Sequence, residues 1–483
     1  MKRFQSKKQL KVISVILSAL TPFVVSEVAF SAPKTEVQKY VKCYQQLTDR
    51  EPDPASANYL KVVNRQMTAI AACVSLLNRV KLISGAVTAT DVEAVAVLNK
   101  FNNIHNSWFV NRDYIEDISS EMLLMKHQVF DPTGPALHIT RALFTDGVPY
   151  GNIFIGGGNY HAVRNGAETI LVDYNRTIFS KSAASIPRVK SGDLIGIQHK
   201  STFVLDYDYL PAATATVPAP TALTGSIDIA KHFGGGILGS PAYLQTTIVP
   251  PRYVLRGAAG YVPFTAERYD GGVKVPRRFG KSVVSDFLCK DLPAALVSDA
   301  DATKFVDPSS SVPFRTDRAC AVCHATMDQL TGVVRHIGYV PVAEPIFNNN
   351  RGGFTPLHPV YSGQKPASAA YWDFGPDLDY ANRPATGRLF YRTSENALID
   401  VKVDSLEHLG AVMATQKDAY RCVAKRYYEH FVGVKVPMSF TPADVSQDRH
   451  KAAIYDLAEK FKISGSLKEL VSDILESENY INR

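Results

Sequence analysis

Apolar residues recur every three to four positions over much of this chain, the period of helices with one buried face. Between Ala57 and Leu82 they fall at Leu60, Val63, Met67, Ile70, Cys73, Val74 and Leu77, which predicts a helix over that span. Thr90-Asp91-Val92-Glu93 has the form of a capping box and predicts a helix running toward Trp108. Two more helices are expected over Ile118 to His127 and Gly134 to Phe144. His105, His127 and His138 fall in or beside these helices and read as satisfied core or surface histidines. From Val148 to about Pro220 the period changes. Ile170-Leu171-Val172, Leu194-Ile195-Gly196-Ile197 and Thr202-Phe203-Val204-Leu205 are short runs of strand type, and Ala212 to Leu223 is a Pro/Ala/Thr-rich loop. Gly156-Gly157-Gly158 reads as a turn, because the lysine and hydroxyl of a phosphate loop do not follow it. Arg277 to Leu292 predicts a helix carrying Cys289, and Arg318 to Leu330 predicts another.

The N-terminus has a different pattern. Lys2, Arg3, Lys7, Lys8 and Lys11 precede an apolar run from Val12 to Val25, and Ala29-Phe30-Ser31 offers small residues for cleavage. These are the three parts of a secretory signal peptide, with cleavage expected near Ser31. The run is about 14 residues, short of the roughly 20 that span a bilayer, and Pro22 interrupts it. The mature chain is therefore expected outside the cytoplasm, in a periplasm or secreted, with no integral membrane segment.

That compartment changes the meaning of Cys320-Ala321-Val322-Cys323-His324. C-x-x-C-H is the arrangement by which haem c is covalently attached. Two cysteines three apart share one face of a helical turn, so both sulfurs can bond the vinyl groups along one haem edge. His324 follows and can coordinate the iron from one side. A redox dithiol or half of a zinc site is the competing reading, and no second C-x-x-C is present to complete a zinc ribbon.

Composition adds two constraints. The formal charge of the 483-residue chain is +7. The leader holds five of the basic residues and one acidic one, which leaves about +3, too weak a bias to argue for nucleic acid. Beyond the haem pair the remaining cysteines are Cys43, Cys73, Cys289 and Cys422. In an oxidising compartment they allow two disulfides with three connectivities. Cys43–Cys73 and Cys289–Cys422 are favoured, because each would staple helical segments within one unit; four buried thiols are the alternative. The length exceeds one ordinary core and predicts two or three packed units.

Gly235-Gly236-Ile237-Leu238, then Arg278-Phe279-Gly280-Lys281, then Cys320 through Leu330 resemble, in that order, the planctomycete-type cytochrome-c-like family. In that family a Gly-Gly-Leu-Leu stretch leads to a Lys-Arg-Gly helix and a haem motif followed by Met-Asp-Pro-Leu. The resemblance continues in a strand pair, Gly387-Arg388-Leu389 with Val401-Lys402-Val403. It extends to a helix Leu406 to Phe431 bearing Tyr420-Arg421-Cys422, and to a closing helix Leu467 to Arg483. It covers roughly residues 230–345 and 386–483. Gln329 stands where the family has proline, Arg335-His336 replaces its acidic residue and asparagine, and residues 340–385 are longer than its connection. The resemblance implies an exported haem protein and names no substrate.

The expectation is thus a mainly α protein: a cytochrome-c-like helical haem domain with an additional N-terminal helical region and a partly β insertion. Its expected divisions are a leader at 1–31, a helical region at 32–147, the β insertion at 148–225 and a haem-attachment region at 226–345. A Pro/Gly/aromatic-rich loop at 346–385 and a C-terminal helical part at 386–483 complete it. One covalent haem c is held by Cys320 and Cys323, with His324 on the iron. Met438, His336 and Met413 are the candidates for the second axial position, while Met327 lies on the same side of the ring as His324. Arg277, Arg278 and Lys281 either pair with haem propionates or form a solvated face. Tyr371-Trp372-Asp373-Phe374 and Tyr380 read as cover for the cofactor. Electron transfer to a redox partner protein is the expected function. The alternatives are a haem peroxidase or oxidase, the electron-accepting module of a larger oxidoreductase, and a binding protein with structural haem.

Overall fold

Thr35 opens the first helix, α1 (Glu36–Thr48). Its hydroxyl accepts from the Gln38 amide at 3.2 Å, and the Gln38 side chain accepts from the Thr35 amide at 2.9 Å. Tyr40, Cys43, Tyr44 and Leu47 then share its buried face. A computed structural model describes residues 34–110, 134–157, 159–170, 192–200, 234–240, 277–300, 317–334, 384–438 and 445–482. Short pieces at 188–190, 202–205, 225–228, 243–244, 247, 337–338, 341–343, 352–354 and 358–359 are also described. The leader at 1–31, the helix expected over Ile118 to His127, the loop Ala212 to Leu223, His336 and the aromatic stretch 371–380 lie outside these residues.

The single helix expected from Ala57 to Leu82 is two, α2 (Ala57–Val63) and α3 (Ala69–Arg79). Arg65 turns the chain at φ +58°, and Thr68 caps the restart by accepting from the Ala71 amide at 3.2 Å. The apolar period ran through this break because Met67, in the turn, still packs on the core. Helix α4 (Val92–Val110) begins on Asp91, whose carboxylate accepts from the Ala94 amide at 3.1 Å. Thr90 and Glu93 do not form the expected capping box. Glu93 instead accepts from Arg79 at 2.7 Å and from the Tyr44 hydroxyl at 3.2 Å. Helix α5 (Gly134–Phe144) has the expected bounds and is buried along its length except at Arg141.

The partly β region is built of two-stranded antiparallel ladders. β1 (Asn159–Arg164) pairs with β4 (Leu194–Lys200), β2 (Glu168–Ile170) with β3 (Arg188–Lys190), and β5 (Thr202–Leu205) with β6 (Gly225–Asp228). The Asn99 side chain on α4 docks the first ladder, accepting from the Leu194 amide at 2.8 Å and donating to its carbonyl at 3.0 Å. Gly234, Gly235 and Gly236 all have φ between +55° and +66°. A Cβ on Gly236 would overlap the Ile153 carbonyl oxygen, so this run lets two short 3-10 turns, Tyr150–Phe154 and Gly236–Gly239, lie in backbone contact.

Helix α6 (Arg277–Leu288) stops short of the expected Leu292, and Cys289 sits just beyond it at φ +51°. Helix α7 (Arg318–Leu330) has the expected bounds and is capped by Asp317, which accepts from the Ala319 amide at 2.7 Å. Two short ladders follow: β7 (Ile337–Gly338) pairs with β10 (His358–Pro359), and β8 (Pro341–Ala343) with β9 (Gly352–Phe354). β11 (Gly387–Arg392) and β12 (Leu398–Val403) form the next pair, with Gly387 opposite Val403 and Arg392 opposite Leu398. The helix expected from Leu406 to Phe431 divides into α8 (Leu406–Met413) and α9 (Lys417–Val432), broken at Ala414-Thr415-Gln416. The Tyr420 hydroxyl donates to the Ala414 carbonyl at 2.9 Å and closes the break. A long helix α10 (Val445–Ser464) precedes α11 (Leu467–Glu476) and α12 (Glu478–Ile481), the last two replacing one expected closing helix.

The described structure is mainly helical, with small two-stranded ladders. Among the described residues, helices α1, α3, α4 and α5 share one apolar core with α8 to α12. Helix α12 meets α1: the Tyr480 hydroxyl donates to the Gln46 side chain at 2.8 Å. Disulfides join Cys43 on α1 to Cys73 on α3, and Cys289 after α6 to Cys422 on α9. No described helix is long and apolar enough to cross a membrane.

A polar chain runs through this core. Thr140 on α5 donates to the Ala136 carbonyl at 2.9 Å, so its oxygen accepts from His105 Nδ1 at 2.8 Å. His105 Nε2 then accepts from the Tyr427 hydroxyl on α9. His105 is fully buried, and burial, helped by His430, pushes its imidazole down to about 3; His138 is pushed down to about 3 by burial and by His199 and Arg141. Both are neutral in the fold and take a proton when unfolded below about pH 6.5. Stability therefore falls as pH drops below that value, at up to about 1.4 kcal/mol per pH unit for each histidine. Denaturant unfolding between pH 7 and 5 should show that slope, and His105→Gln should reduce it by the share of one histidine; an equal slope in the variant would remove His105 from the account.

Candidate functional site

Helix α7 has two faces. Ala321, Val322 and Ala325 are buried against Ala295, Ala300 and Phe390 in a small apolar cluster, separate from the main core, with Cys323 packed at its edge. The opposite stripe is Cys320, Cys323, His324, Met327 and Asp328, spaced i, i+3, i+4, i+7 and i+8. Cys320 is exposed, and the other four are partly exposed. Strand β11 divides the two apolar regions by its period of two: Leu389 and Tyr391 point into the main core, and Phe390 into the small cluster.

Two glycines hold α7 in place. A Cβ on Gly280 of α6 would overlap the carbonyl oxygen of Met327, and one on Gly387 of β11 would come within 2.9 Å of the Gln329 carbonyl. The helix is thus gripped on its backbone from two sides, which fixes its rotation and keeps the stripe outward. β11 is tied in turn to the loop beneath the small cluster. The Arg392 guanidinium donates to both oxygens of Asp299, at 2.5 and 2.6 Å.

His324 Nδ1 lies 2.8 Å from Asp328 Oδ2, one helical turn on. Asp328 Oδ1 accepts from Arg277 Nε at 2.9 Å, across from α6. The three side chains are 20 %, 19 % and 27 % exposed, so the chain is partly shielded from water. Metal-ligating histidines are oriented in this way, with a carboxylate on the nitrogen that does not bind the metal. With Nδ1 engaged by Asp328, Nε2 is the nitrogen that could coordinate a metal.

The cysteine chemistry sorts the same way. Cys43, Cys73, Cys289 and Cys422 are paired in disulfides, and Cys320 and Cys323 are the thiols. Burial, followed by the neighbouring Cys320, pushes the Cys323 thiol up from its ordinary value. Reactive dithiols are built the other way, with a lowered thiol pKa. Among the described residues no group of three or more His, Cys, Asp or Glu side chains is placed to hold a metal ion. Two thiols and one imidazole along a partly open helical face are the donor set that a covalent haem requires, and the residues fit that group.

The other sequence candidates are distributed as follows. Met413 on α8 and Met438 after α9 are both buried in the main core, and the Met438 carbonyl accepts from Lys290 Nζ at 3.0 Å. Neither joins the small cluster beside Cys323, and His336 lies outside the described residues. Met327 sits on the outward stripe, partly exposed. Arg277 pairs with Asp328, Arg278 is partly buried and Lys281 is exposed. The Asp328 contact was not read from the sequence, although its i+4 spacing from His324 carries the signal. No protein-family model matches the chain, and comparison with curated proteins and with solved structures finds no match.

The close approach at Gly280 makes a prediction. Gly280→Val should cost about 1–3 kcal/mol of stability, as overpacking does, while Lys281→Ala on the exposed side should stay within about 0.5 kcal/mol. Denaturant unfolding of the two variants checks this; equal effects would show that α6 and α7 do not depend on backbone contact.

Proposed function

We propose that this chain is an exported c-type cytochrome-like protein that holds one covalent haem at Cys320 and Cys323, coordinates its iron through His324 and passes single electrons to a redox partner protein. The observation that carries the reading is the outward stripe of α7, where both thiols and the imidazole fall on one helical face. The paired state of the other four cysteines supports it, as do the leader-like N-terminus and the cytochrome-c-like order of motifs. Cys320 and Cys323 would hold the group through thioether bonds, each thiol hydrogen going to the vinyl carbon beside the new bond, with no electron gained or lost. When bound, the group would supply a one-electron ferric–ferrous couple. The chain's own contribution is to fix the ring by two bonds, to orient His324 through Asp328 and to cover one side of α7 with apolar side chains.

The burial of Met413 and Met438 in the main core favours a second reading. In it the site would leave the iron open to a small ligand such as peroxide, and the protein would be catalytic rather than a carrier.

One set of spectra tests both. Protein produced with cytochrome c maturation should give a c-type pyridine haemochrome, and Cys320→Ala/Cys323→Ala should give none. A low-spin spectrum unmoved by cyanide or carbon monoxide supports the carrier, and a high-spin spectrum that responds to them supports the enzyme. Absence of covalent haem from the parent protein would end both readings and return the two thiols to disulfide or metal chemistry.

A further inference from the structure

We infer that Asp328 and Arg277 form a two-step relay that sets the reduction potential of the iron bound at His324; this rests on the haem reading above. An imidazole that coordinates through Nε2 keeps its proton on Nδ1, and here Nδ1 meets a carboxylate at 2.8 Å. Donation to a charged acceptor pushes negative charge into the ring, makes the ligand more basic and favours ferric over ferrous iron. Arg277 acts in the opposite direction. Its guanidinium donates to the second oxygen of the same carboxylate at 2.9 Å and draws charge away from the ring. The potential is therefore set between a residue on α7 and one on α6, and the distance between two packed helices enters it directly.

A purely structural role does not account for the arrangement. Helix α7 is already capped by Asp317 and gripped on its backbone at Gly280 and Gly387. A single ion pair at a partly exposed site adds only modestly to stability. The cytochrome-like alternative, a neutral carbonyl as acceptor for Nδ1, would carry no charge to the ring; Asp328 does. Both residues are positioning residues, acting on the iron through His324.

The test is spectroelectrochemical titration of full-length haem-loaded protein, with covalent haem counted by pyridine haemochrome in every sample. Asp328→Asn should shift the redox equilibrium toward the ferrous form at least tenfold, 59 mV upward for one electron. Asp328→Glu should return the equilibrium most of the way to that of the parent. Arg277→Gln should move the equilibrium the other way, toward the ferric form. If Asp328→Asn carries a full haem and titrates within about twofold of the parent, the relay is overturned. If that variant does not load haem, Arg277→Gln decides alone: a ferric shift supports the relay, and no shift or a ferrous shift overturns it. A parent protein without covalent haem fails at the haemochrome step, which separates failure of the haem reading from failure of the relay.

Discussion

The contact between α6 and α7, made where Gly280 meets the backbone at Met327, is the constraint on which the rest of the site depends. Side chains at a helix interface normally keep axes 8–10 Å apart. Removing one of them lets the two backbones touch, and a helix held on its backbone cannot roll to relieve strain. That fixes which residues of α7 face outward. It also brings Arg277, at the start of α6, within hydrogen-bonding distance of Asp328. The orientation of His324 is thus a consequence of helix packing as much as of its own neighbours.

The far end of α6 is fixed just as firmly. Cys289 is bonded to Cys422 on α9, and the next residue, Lys290, is buried with its ammonium 3.0 Å from the Met438 carbonyl and 3.5 Å from Asp418. Asp418 also accepts from the Ser394 amide and hydroxyl, at 3.1 and 2.6 Å, and faces the buried Arg421. Burying three charges is expensive, and clusters of this kind are weak contributors to net stability. Their effect here is positional. They tie α6, α9 and the turn after β11 to one another beside the main core, and so link the core to the helix that packs on α7. The N-terminal helices join the same core through His105 and Tyr427, which makes them part of the scaffold.

Much of this was legible in the chain. The bounds of α5 and α7 match the apolar pattern, and the β11–β12 pair and the C-terminal helices were expected from the order of motifs; α1, Glu36–Thr48, was not anticipated. Breaks were harder to see. Met67 and Thr415 sit in turns that leave the apolar period intact, so α2–α3 and α8–α9 each read as one helix. Helix α10 was passed over although Ile454, Leu457, Ala458 and Phe461 repeat at i, i+3, i+4 and i+7, because charged residues fill the positions between them. At the site, the placement of Cys320, Cys323 and His324 on one face of α7 was readable because residues three and four apart share a face of a helix. Arg277 was read as either a propionate partner or part of a solvated helix face, and its contact with Asp328 was not anticipated, since a contact between two helices has no local signature. Glu93 shows the same limit: its capping-box spacing was correct, and Arg79 and Tyr44 claimed the carboxylate instead.

The claim that all of this supports is that Cys320 and Cys323 carry a haem in thioether linkage. Mass spectrometry of the mature protein, unfolded in acid and then digested, tests it most directly. The account predicts a chain heavier by one haem after denaturation, with the added mass confined to the peptide that contains Cys320 through His324. A chain of unmodified mass, with Cys320 and Cys323 recovered as free thiols or as a disulfide with each other, would contradict it.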